Sequence, residues 1–195
     1  MRARPALWII VALLAAGCTA SRPHPPTPAP ATADQTDVWF MQHMVPHLWQ
    51  ATSIAFLTRD QITHPALARL ADTINQHGQA NIQQLQAWLS RQGLAAHGHS
   101  HQQVDSRQQT DLERLSRLHG TAFDLAFLKV MTARHRAGIN LAMAEASHGA
   151  LPEVRQLARQ MLIEQQAQVR QMDTWKQAWS KAGNAPPATA KPNRR

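Results

Sequence analysis

The residues best able to do chemistry are histidines and methionines. His43 and His47 stand four apart, so on a helix they share a face and could chelate one ion. Met44 and Met131 lie just ahead of His47 and His135 in two similar stretches, D-V-W-F-M-Q-H-M-V-P-H-L at residue 37 and D-L-A-F-L-K-V-M-T-A-R-H at residue 124. Thioether with imidazole suits Cu(I) better than a hard cation. A separate tract, H-G-H-S-H, places His97, His99 and His101 at alternate positions, where they could wrap Cu(II), Ni(II) or Zn(II) without a fold. The bland reading of the helical residues is that methionine fills core and a lone histidine beside it is only hydrogen-bonded.

The two stretches belong to a longer repeat. A shift of 87 positions, with no gap, aligns Asp37 with Asp124, Phe40 with Phe127, Met44 with Met131, Ala55 with Ala142, Pro65 with Pro152, Leu70-Ala71 with Leu157-Ala158, Gln79 with Gln166 and Trp88 with Trp175. A register held that far indicates duplicated structure. It leaves a puzzle, because His47 and His135 are one position out of step. The same shift pairs His77 with Glu164. Buried, those two need partners, either each other or a metal; at the edge of an apolar stripe they need only water.

Each copy reads as two helices. Phe40, Met44, Leu48, Ala51 and Ala55 make one apolar stripe, and Leu67, Leu70, Ala71, Ile74, Ile82, Leu85 and Trp88 make the next, both at three- and four-residue spacing. Pro65 and Pro152 mark matching breaks, since proline is accepted at the start of a helix and not within it. Four amphipathic rods bury their stripes by packing together, which predicts an all-α four-helix bundle with a pseudo-two-fold axis. The helical pairs span 37–92 and 121–182, joined by a His-containing linker at 93–104 and a short extra helix at 105–120 that Gly120 should end.

The ends of the chain concern location. Arg2 and Arg4 precede eleven apolar residues, Ala6 to Ala16, too few to span a bilayer and suited to a signal peptide over 1–17. Cys18 is the single cysteine, and Ala16-Gly17-Cys18 resembles a lipobox although Ala15 replaces the usual leucine. Lipidation at Cys18 is the expectation, with ordinary signal cleavage as the other reading. The Pro-, Ala- and Thr-rich run 18–36 would be a tether, and 183–195 a basic disordered tail. Of 195 residues, 20 are Lys or Arg and 12 are Asp or Glu. On a lipid-anchored protein facing the periplasm, such a tail meets anionic head groups. Export and the lack of a nucleic-acid motif argue against nucleic acid.

The run R-L-H-G-T-A-F-D-L-A-F-L-K-V-M-T-A-R-H-R-A-G-I-N-L-A-M-A, Arg117 to Ala144, resembles the signature of the domain-of-unknown-function 305 family, F-D-x-x-F-L-x-x-M-I-x-H-H-x-x-A-I-x-M-A. Q-Q-A-Q-V-R-Q-M-D-T-W, Gln165 to Trp175, resembles the family's Q-Q-A-E-I-x-x-M-x-x-W-L. The resemblance covers about Asp37 to Trp179 and implies a ferritin-like bundle that in some relatives binds copper or another metal through His and Met. The chain departs from the pattern where it matters. The family's paired histidines are His47-Leu48 in one copy and Arg134-His135 in the other, and its glutamate is replaced by Asn81 and Gln168.

Oxidase chemistry at a di-iron centre wants Glu from two helices and Glu-x-x-His from two more. Only Glu145-x-x-His148 fits, and its repeat partners are Thr58 and Gln61. No nucleophile elbow or phosphate-binding loop is present. The expectation is a non-enzymatic, envelope-anchored lipoprotein binding copper or a similar metal as buffer or chaperone, with Cu(I) shared between the halves by His47, His135, Met44, Met131 and His43, and Cu(II) or Ni(II) at the linker. The alternative is a metal-free structural or interaction module that has lost the family's ligands.

Overall fold

The computed structural model describes residues 32–95 and 106–183. The signal segment, Cys18, the tether to residue 31, the linker histidines His97, His99 and His101, and the basic tail lie outside the described residues. Within them the chain forms α1 (Gln35–Leu57), a 3-10 turn (Arg59–Gln61), α2 (Pro65–Arg91), α3 (Ser106–Ser116), α4 (Gly120–His148) and α5 (Pro152–Gly183). Pro65 and Pro152 each open a helix, at a position where the missing N–H has no intrahelical partner to lose. Gly120 differs from its expected role. At φ +59° it takes the left-handed turn out of α3, which stops at Ser116, and itself begins α4.

The recurring aspartates explain how the two helix pairs are locked. Asp124, at the start of α4, accepts hydrogen bonds from the Thr63 and His64 N–H groups at 3.1 and 3.0 Å and from the Thr63 hydroxyl at 2.6 Å. Asp37, at the start of α1, accepts from the Ala150 and Leu151 N–H groups at 3.2 and 3.0 Å. The loops are repeat-equivalent, so each pair of helices caps the entry to the other pair's second helix. Both aspartates are buried, and the N–H groups they satisfy belong to the two residues that lead into each helix and would otherwise lack a partner there. This reciprocity places the start of α1 beside the end of α4 and the start of α4 beside the end of α1. The two helices therefore run antiparallel, with the pseudo-two-fold axis crossing them near their middles.

Apolar burial falls into two clusters, one at each end of the bundle. One gathers Phe40, Met44 and Val45 with Ile82, Leu85, Trp88, Val154 and Met161. The other gathers Ile54 and Ala55 with Leu67, Leu70, Phe123, Phe127, Met131 and Met172, and receives Leu115 of α3. Every residue of the two expected stripes is buried. Between the clusters, at the level of the axis, polar side chains of α1, α2, α4 and α5 meet among a few apolar ones.

Candidate metal centre

The waist contains a small cleft with a volume of about 40 Å³, room for a water or a bare ion. Its walls come from all four long helices, and most lining residues are repeat pairs: Leu48 with His135, Ile74 with Met161, His77 with Glu164, Gly78 with Gln165, and Asn81 with Gln168. The cleft thus sits on the pseudo-axis. His47 of α1 joins them.

His47 and His135 are brought together here. His135 is buried, with Nδ1 3.0 Å from the Met131 carbonyl and Nε2 2.6 Å from Gln168 Oε1. Gln168 Nε2 donates to Glu164 Oε1 at 3.2 Å, and that oxygen lies 2.5 Å from His77 Nδ1. A polar chain therefore runs His135, Gln168, Glu164, His77 across three helices. His77 and Glu164 meet both of their expected roles at once, paired with each other yet partly in water, at 57% and 35% side-chain exposure.

His47 stands outside this chain and makes no hydrogen bond with the described residues. Its Nε2 lies against α4 where Gly138 leaves space, since a Cβ there would come within 2.8 Å of Nε2 and 2.3 Å of Gln165 Oε1. Burial, then the neighbouring His135 and Arg134, push its pKa down to about 4, so the imidazole is neutral with a lone pair to give. Burial also lowers His135, against the pull of Gln168, the Met131 carbonyl and Glu164.

The expected thioethers are elsewhere. Met44 and Met131 are fully buried, one in each apolar cluster, and neither lines the cleft. The antiparallel axis is the reason: each methionine lies about four residues, roughly 6 Å, before the crossing point, and in opposite directions. His43 is exposed, stacked on Trp39 at 4.4 Å with Nδ1 2.7 Å from the Trp39 carbonyl, and is also outside the cleft. The thioether that does line it is Met161, with Gln165 and Gln168 beside it. Met161 and Gln165 were passed over as donors, although the 87-residue register pairs Met161 with stripe position Ile74, and Gln168 entered only as the replacement of the family's glutamate. Among the described residues, no three His, Cys, Asp or Glu side chains converge at metal-binding range.

The donors that are present can be matched to a class of ion. Imidazole and thioether are soft to intermediate, and at Asn81 and Gln168 neutral amides stand where carboxylates would favour a hard cation. The set fits Cu(I) or a similar ion and does not fit Ca²⁺ or Mg²⁺. Glu145 and His148 make no di-iron half-site. Glu145 is fully buried at the end of α4 under Gly149, whereas His148 is exposed.

Fold and cleft together define a duplicated, antiparallel helical bundle with a histidine-bearing waist. The sequence profile of the family described as "Domain of unknown function (DUF305)" matches residues 37–176, and the chain belongs to that family. No curated protein matches it. Among solved structures, a DUF305 fragment from Deinococcus radiodurans is similar with a TM-score of 0.65 and 24% identity, over 77% of this chain and 99% of that one. A DUF305 protein from Streptomyces coelicolor, provisionally designated secreted, gives a TM-score of 0.66 and 22% identity over 74% and 92%. CopM in its Cu(I)-bound form gives 0.64 and 24% over 75% and 99%, and Cu(II)- and silver-bound forms of CopM are also similar. At these identities the likeness establishes the fold.

Proposed function

We propose that this protein is an envelope-anchored metal-binding bundle that holds copper or a similar soft transition metal at its waist, as a buffer or chaperone and without catalysing a reaction. The observation that carries this reading is His47, a partly buried, neutral imidazole with no hydrogen bond to the described residues, beside His135 in a cleft also lined by Met161. The Cu- and Ag-bound forms of CopM, on the same fold, support it. His47 and Met161 would hold the ion, joined by His135 through Nε2 once that nitrogen is released from Gln168 Oε1. Glu164 reaches His135 through Gln168, an outer contact of the kind that orients a ligating imidazole. Anchoring rests on the signal-like start and Cys18, and the linker His97, His99 and His101 would offer a separate Cu(II) or Ni(II) site.

Cu(I) titration of the full chain under reducing conditions, with a competing chelator, tests the reading. His47→Ala and His135→Ala should each weaken binding by an order of magnitude or more and leave the helical content unchanged, while Met44→Leu should not. A hundredfold excess of free metal over its dissociation constant should stabilise the parent by about 2.7 kcal/mol. If Cu(I) stabilises both histidine variants as much as the parent, the waist is not the site, and the chain is a metal-free structural or interaction module.

A further inference from the structure

On the far side of His47 lies a second and larger cavity of about 410 Å³, formed by α1, α3 and α4. Its size falls within the range of small-ligand pockets. Arg107, Asp111 and Arg114 are spaced i, i+4, i+7 on α3 and line one wall; Lys129 and Arg134 of α4 line the other. Among the described residues lining the cavity, four cations stand beside one carboxylate. That carboxylate is already divided, since Asp111 Oδ2 accepts from Arg134 Nη2 at 3.1 Å and Oδ1 from Arg114 Nη2 at 3.5 Å.

Arg134 is the unusual member. Its side chain is only 8% exposed, held by Asp111 and by Gln50 Oε1 at 2.9 Å, and its Nε is buried without a hydrogen-bond partner. Lys129 is exposed and has no ion-pair partner among the described residues. Like charges gathered in a concave, partly enclosed site raise the local concentration of anions, and guanidinium groups held in place by hydrogen bonds to neighbouring side chains recognise oxyanions with little further ordering. The two walls and the ammonium supply donors from several directions, which suits a tetrahedral, multiply charged group better than one planar carboxylate.

We propose that the cavity between α3 and α4 binds a phosphate-class oxyanion, through Arg107, Arg114, Lys129 and Arg134. The proposal is independent of the metal reading, although His47 lies in the wall shared by the two sites. Arg134 is the repeat partner of His47, so the duplicated position serves an ion of opposite charge in the second copy.

Isothermal titration of the metal-free full chain with inorganic pyrophosphate at low ionic strength tests it. Binding tighter than about 1 mM is expected, weakened tenfold or more in Arg107→Ala/Lys129→Ala, whose exposed positions keep the fold, and likewise in Arg134→Gln. His47→Ala should keep pyrophosphate affinity while losing Cu(I). A lipid source is separated by vesicles of phosphatidylglycerol in phosphatidylcholine, using Cys18→Ser chains. Vesicle binding that requires Arg107 and Lys129 and is competed by pyrophosphate assigns the ligand to a head group; pyrophosphate binding without it assigns a soluble anion. If neither binds, or if the double variant binds both as well as the parent, the proposal is overturned.

Discussion

His77 and Glu164 occupy the same position in the two copies of the repeat and are bonded to each other across the bundle, Nδ1 to Oε1, at 2.5 Å. A residue that meets its own duplicate must lie next to the axis relating the copies. The pair therefore marks the waist, and through Gln168 it reaches His135.

That pair is partly solvent-exposed, so as an ion pair it contributes little stability, on the order of 0–1 kcal/mol. Its larger effect should be on the metal. Glu164→Ala is expected to leave the melting temperature nearly unchanged and to weaken Cu(I) binding by roughly 10–100-fold, as read by chelator competition.

The reciprocal caps should behave as a structural pair. Asp124→Ala strips the Thr63 and His64 N–H groups of their acceptor at a buried position, with an expected loss of about 1–3 kcal/mol in urea unfolding. Asp37→Asn should cost less than Asp124→Asn, because the Asp37 charge also acts against the nearby Glu145.

Glu145 supplies a pH dependence. Burial, and next the Asp37 charge, raise its pKa from 4.5 to about 8, and both of its oxygens are buried without a partner. The folded state therefore holds this proton more tightly than the unfolded state. The contribution is fully present below pH 4.5 and is lost as pH rises through about 8. Glu145→Gln, a neutral isostere, should raise stability at pH 9 by about 1–3 kcal/mol and little at pH 4. Thermal melts of both proteins across that range would show it; parallel curves would place the pH dependence elsewhere.

Gly138 leaves the space that His47 and Gln165 use. Gly138→Ala puts a methyl group 2.8 Å from His47 Nε2 and 2.3 Å from Gln165 Oε1. Gln165 can swing away, and alanine favours helix by up to about 1 kcal/mol over glycine, so the fold should survive. Displacement of His47 should lower Cu(I) affinity, and a variant that binds as tightly as the parent would show that the imidazole does not ligate from this position.

Local properties of the chain were enough to determine the helices, their breaks at Pro65 and Pro152, and the duplication, because periodicity, proline and a shared register are written in one dimension. The same register held the pairing of His77 with Glu164. Which donors meet was decided only by the antiparallel crossing of α1 and α4. That crossing sends Met44 and Met131 to opposite ends of the bundle, brings His47 against His135 although they are one position out of step, and draws Met161 in from a stripe that reads as core. Spacing along one helix states which residues share a face. It does not state where another helix crosses that face, which is settled by the packing of side chains far apart in the chain and by two aspartates that each cap the other copy's loop.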